Sequence, residues 1–147
     1  MLLLTVFGSM VFGKEIAEMN ATSSNERGNQ LRAEIEVIYR QLKDTKKLVG
    51  GHKGNDIGDV VRKYIPIGTS FEDGENCLRS AGFTVHPRPN LNATGNRPDK
   101  YHVSAFIDSM DRGNTYNIQV IVSLGPKVPG DYSAIDQISA GIFYSSL

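Results

Sequence analysis

Apolar residues recur along this chain with two different periods. Leu31, Ile35, Ile38 and Leu42 return every three or four residues, the spacing of one face of an amphipathic helix. Ser23-Ser24-Asn25-Glu26 offers capping residues ahead of it, and the pattern predicts a helix running to about Leu48. Lys43, Lys46 and Lys47 fall in its last turns, where positive charge complements the helix dipole. Gly50-Gly51-His52-Lys53-Gly54-Asn55 then reads as a flexible connector. Residues 59–65 fit either a strand or a short helix, and Pro66 holds Ile65 extended.

The stretch from Tyr64 to Val85 reads as an extended entry, a capped short helix, a glycine stop and a strand. Ser70 is an N-cap with Asp73 as its capping-box partner; Thr69 with Glu72 is the competing register. Phe71, Gly74, Leu78 and Ala81 share one face with Cys77 at its edge, and Gly82 supplies a left-handed stop. Residues 86–100 contain Pro87, Pro89 and Pro98 and predict a long loop.

Beyond that loop the period drops to two. Residues 103–108, 116–122 and 138–144 read as strands. In the second, Tyr116, Ile118, Val120 and Val122 alternate with Asn117, Gln119 and Ile121. Asp111-Arg112-Gly113-Asn114 and residues 125–131 are the connections. A sheet with one apolar face needs a cover, and the helices supply it. The prediction is an α+β two-layer sandwich, with a three- to four-stranded antiparallel β-meander packed against one long and one short helix.

The first thirteen residues alter this picture at one end. Met1 to Gly13 has no charged side chain, and Leu2, Leu3, Leu4, Val6, Phe7, Met10, Val11 and Phe12 make a short apolar run. A bilayer span needs about 20 residues, so the run fits a signal-peptide core, with cleavage after Val11-Phe12-Gly13. No Lys or Arg precedes it, so a truncated signal, or a buried N-terminal strand or helix, is the other reading. The expected organisation is a signal at 1–13, a linker at 14–28 and a single domain at 29–147. The expected location is periplasmic or secreted, or cytoplasmic if the run is not a signal.

Composition narrows the function. Hydrophobic residues make up 39% of 147, enough for a moderate core. Lys plus Arg equals Asp plus Glu at 16 each, which argues against a general nucleic-acid binder and against anionic membrane surfaces. Cys77 is the one cysteine, so no internal disulfide forms. No phosphate loop, dinucleotide fingerprint, nucleophile elbow or zinc-protease motif is present. No metal set and no cofactor are expected, because His52, His86 and His102 lie too far apart for a zinc signature. Asp108 and Asp111 flank a turn, where Asp serves backbone needs. Gly68-Thr69-Ser70 is read as a cap before an anion site. Asn20-Ala21-Thr22 and Asn92-Ala93-Thr94 match the glycosylation sequon, which matters only in a eukaryotic secreted protein.

The stretch Ile65-Pro66-Ile67-Gly68-Thr69-Ser70 through Leu78-Arg79-Ser80-Ala81-Gly82-Phe83 resembles small bacterial envelope proteins. These are the outer-membrane assembly lipoproteins and the related β-lactamase-inhibitor-like fold, in which a capped helix and a Gly-Phe exit precede a β-meander. The resemblance implies a non-enzymatic protein that binds other proteins. The family's lipid-attachment cysteine has no counterpart here. A second, lower-ranked resemblance is to cell-wall-sensing PASTA modules.

The expected function is therefore an exported, non-enzymatic protein-binding protein of inhibitor or toxin-immunity type, whose partner is a secreted toxin or another envelope protein. The expected contact residues are Arg88, Asn90, Arg97, Lys100, Tyr101 and His102, since Arg and Tyr are favoured at interfaces. An exposed sheet face is the other candidate surface. The alternatives are a cell-wall-binding or structural module, and a small hydrolase or metal-dependent enzyme using Cys77 or the His86, His102 and Asp108 set.

Overall fold

The structure is a computed structural model that describes residues 5–90 and 100–147, with side chains from residue 23 onward. Three helices cover one face of a five-stranded antiparallel sheet, as expected for an α+β sandwich but with more elements. The helices are α1 (Thr5–Asp44), α2 (Gly58–Tyr64) and α3 (Phe71–Ser80). The strands are β1 (Asn55–Asp56), β2 (Thr84–Val85), β3 (Val103–Arg112), β4 (Tyr116–Pro126) and β5 (Ile135–Ser146). The sheet order is β1-β5-β4-β3-β2.

Helix α1 is longer at its start than the periodicity implied. It runs unbroken through residues 14–28, expected as a linker, so Ser23-Ser24-Asn25-Glu26 is helix interior and not a cap. Tertiary contacts hold its stretch from Ser24 to Gly28. Ser24 is buried and donates to Asp73, and Asn25 Oδ1 accepts from Ser80 Oγ at 2.6 Å. Gly28 lies so close to α3 that a Cβ there would sit 2.5 Å from the Cys77 carbonyl oxygen. Leu31, Ile35 and Tyr39 continue the buried face.

At its other end α1 stops before Leu48. Lys47 N–H donates to Leu42 O and Lys46 N–H to Lys43 O, with Lys46 at φ 55°. This is a Schellman ending with lysine where glycine is usual. Helix α3 ends the same way on Gly82, where Phe83 N–H bonds Leu78 O and Gly82 N–H bonds Arg79 O. Its start is the expected one: Ser70 Oγ accepts from Asp73 N–H. The return half of the capping box is absent, because the Asp73 carboxylate is taken by Ser24 and by Arg27 at 2.6 Å. Burial raises the Asp73 carboxyl, but Ser24 and Arg27 outweigh it and hold the group below the ordinary carboxylate range.

Residues 59–64 settle as helix, with Ile65 as its non-helical C-cap before Pro66. Ile57, Val61 and Ile65 are buried at four-residue spacing, and Pro66 ends the run. The inner sheet face supplies Val103, Ala105, Ile107, Ile118, Val120, Val122, Leu124, Ile138 and Ile142 to the core. Strand β3 continues past the expected turn, and its register with β4 shifts between Ile107 and Asp111. The shift brings Asp111 to α1, where it accepts from Tyr39 and pairs with Lys43 at 3.3 Å. The hydrogen bond from Tyr39, aided by Lys43 against desolvation, holds the Asp111 carboxyl below its usual range.

Much of the sheet's outer edge is occupied. Along β5, Ile138 O accepts from Arg62, Ala140 O from Ile57 N–H and Tyr144 O from Gly51 N–H, around the β1 pairing. Along β3, strand β2 pairs at Ala105 and Phe106, and His86 N–H bonds Ser104 O. Occupied or irregular edges discourage a further strand from adding.

Candidate functional site

The loop residues expected to meet a partner are tied into the fold at its two stems. Arg88 Nε donates to Glu75 Oε1 at 2.8 Å, and its guanidinium lies 5.4 Å from the centre of the Tyr132 ring. Glu75 is only 7% exposed, and it has Arg79 as a second partner at 3.7 Å. Arg88 thus neutralises a buried carboxylate, a bond whose loss on one side is costly. Tyr101 O accepts from the Tyr132 hydroxyl at 3.0 Å. Lys100 Nζ lies 4.9 Å from the centre of the Tyr101 ring, and Asn90 is exposed. His102 Nδ1 and Ser123 Oγ are 3.1 Å apart. Arg97 lies outside the described residues, as do Asn92, Asn96 and Asp99.

The other candidate surface is the outer face of the sheet, which carries no helix. Strand alternation and register place three rows on it. Ser104, Ser123 and Ser139 lie in line across β3, β4 and β5. Phe106, Ile121 and Gly141 form the next row, and Gln119 pairs with Phe143 in the third. Phe106, Ile121 and Phe143 make a diagonal apolar stripe between hydroxyl and amide groups. Ile121 is 39% exposed, unusual for a central position of a central strand. The His86 ring meets Phe106 edge-on at 4.7 Å.

Phe143 divides the face. Its ring covers Gly54 and Gly141, where a Cβ would come within 2.7 and 2.9 Å of ring carbons. Glycine at both places lets the ring lie down on the backbone. On one side is an open depression of about 330 Å³ lined by Lys53, Asp56, Arg62, Ser123, Ser139 and Phe143. On the other is one of about 520 Å³ lined by His52, Gln119, Ile121, Tyr144 and Ser145.

The structure does not bring Cys77 together with the histidines. Cys77 is fully buried on α3, on the helical side of the sheet, while His86 and His102 contact Phe106 and Ser123 on the outer face. Burial pushes the Cys77 thiol up to about 11. An aromatic disulfide reagent at pH 8 should therefore leave the folded protein untouched and titrate the thiol only as fast as the chain unfolds. Rapid absorbance change without denaturant would contradict that burial. Asp108 Oδ1 accepts from Gln119 at 3.3 Å, so it too is on the outer face.

The sequence pattern does not single out Phe106, Ile121 and Phe143 together as residues of the outer face. Ile121 carried a legible signal, since it occupies a polar position in the β4 alternation. Among the described residues no helix is long and apolar enough to cross a membrane, and no group of three or more His, Cys, Asp or Glu converges as a metal site. Compared with protein-family models, curated proteins and solved structures, the chain finds no match.

Proposed function

We propose that this chain is a non-enzymatic protein-binding protein of the bacterial envelope, of inhibitor or immunity type, and that its partner docks on the outer face of the sheet. The observation that carries the reading is the apolar stripe Phe106–Ile121–Phe143 on the helix-free face, exposed at Ile121 and half-buried at its two ends, set in a polar surround. A central apolar patch with a polar rim is the anatomy of a docking site. The occupied sheet edges favour a partner that lies on the face over one that adds a strand. The resemblance to outer-membrane assembly lipoproteins and β-lactamase-inhibitor-like proteins supports the same class, and the uncharged N-terminal run supports export. Arg88 and Tyr101 move from direct contact to support of the loop stems.

The test is a pull-down from envelope extract with the wild-type chain and with Ile121→Glu. The substitution puts a charge at a partly exposed strand position beside Phe106, so it should cost about 1 kcal/mol and leave the fold intact. The expected result is one stoichiometric partner that Ile121→Glu loses. A partner retained by Ile121→Glu but lost by Asn90→Ala with Lys100→Ala would move the site to the loop. No partner at all would overturn the reading. A cell-wall-binding role is the second reading, favoured by the serine row, because Ser is depleted at protein interfaces. Retention on peptidoglycan that Ile121→Glu abolishes would establish it.

A further inference from the structure

We infer that Tyr132 is a positioning residue that fastens both stems of the connection between β2 and β3 to one point of the scaffold. Three independent contacts meet at this side chain. Its ring packs edge-on against the fully buried Phe71 at 5.0 Å. The guanidinium of Arg88, from the first stem, lies over the same ring. Its hydroxyl donates to the carbonyl of Tyr101, in the second stem, at 3.0 Å.

Tyr132 is itself held by a tight turn. Asp131 N–H bonds Val128 O, Gly130 takes φ 82°, and Ser133 N–H bonds the Asp131 carboxylate. Glu75 completes the first attachment, because it fixes Arg88 from below with a carboxylate that is almost wholly buried. The two stems are thus held by different chemistry. The first is held to Tyr132 and Glu75 through a charged guanidinium, the second to Tyr132 through a neutral hydrogen bond. The second attachment also reaches the outer face: the residue after Tyr101 is His102, whose ring bonds Ser123. Tyr132 therefore sets where the imidazole stands beside the serine row.

The sequence provides a clean reporter. Between residues 86 and 102 trypsin has three basic residues, but Arg88 and Arg97 are each followed by proline, which blocks cleavage. Lys100–Tyr101 is the one readily cut bond of the connection, and it ends at the carbonyl-bearing residue that Tyr132 holds. Tyr132→Phe keeps the ring on Phe71 and Arg88 and removes only the hydroxyl. The initial rate of cleavage after Lys100 should rise about fivefold, as for loss of one neutral hydrogen bond to a locally opening segment. Cleavage after Lys63 and Arg112 should not change. Glu75→Gln should instead speed amide exchange at Arg88 and Asn90 and leave Tyr101 as it was. A wild-type cleavage rate in Tyr132→Phe, or a parallel rise at all three sites, would overturn the assignment. No partner enters the measurement, so it stands or falls apart from the proposed function.

Discussion

Gly28→Val is expected to destabilise the fold by more than about 3 kcal/mol. A Cβ at this position would meet the Cys77 carbonyl oxygen and Ser80 Cβ at 2.5 Å, and the Ala81 nitrogen at 3.0 Å. Two of these atoms are backbone of α3 and its end, so no rotamer change relieves the overlap. The helices would have to separate, opening the α1–α3 contact that holds Ser24, Leu31 and Cys77 in the core. Gly28→Ala should lose less, about 1–2 kcal/mol, because alanine gains roughly 1 kcal/mol of helix propensity over glycine. The exposed neighbour Asn29→Ala is the control and should be near neutral. Urea denaturation with unchanged slope reads all three. A Gly28→Val midpoint equal to wild type would mean that α1 does not sit on α3 as described.

Phe71→Ala should cost a similar amount, about 3–5 kcal/mol, through lost transfer energy and the cavity left behind. Phe71 is the first residue of α3 and among the largest side chains with no exposed surface. Its loss strips the apolar support from Tyr132 and empties space beneath the turn that leads into β5. In a domain of this size the melting temperature should fall by roughly 10 °C. Ile67→Ala, four residues earlier at a site 49% exposed, should hardly move it. Equal melting of Phe71→Ala and Ile67→Ala would contradict the burial assigned to Phe71.

The elements that the sequence made legible are those with strong local signals. Helix α3 carries its own start at Ser70 and stop at Gly82, and β3, β4 and β5 carry alternation over many residues. What escaped was set by contacts from afar. Residues 14–28 look like linker because they are polar, but Ser24, Asn25 and Gly28 meet α3 from within a continuous helix. The end of α1 was read too late because Lys46 takes a left-handed conformation that favours glycine. Strands β1 and β2, two residues each, are too short to show any period. Glu75 and Tyr132, which hold Arg88 and Tyr101 at the loop stems, lie on other elements and leave no local sign in the sequence. The outer face has one mark in the sequence, Ile121 at a polar position of the β4 alternation.

The sheet order has a consequence for how the chain comes to be folded. The first strand, Asn55–Asp56, can pair only with Ile142 and Gly141 near the far end of the sequence. A ribosome or translocation channel delivers that partner only after β3 and β4. Until it arrives, Ile57, Val61 and Ile65 have helix but no completed sheet to rest on. Closing so long a loop is slow relative to forming the β3–β4–β5 meander. The N-terminal half therefore stays unfinished until β5 has emerged and, if the chain is exported, can cross in an open state before that strand locks it shut.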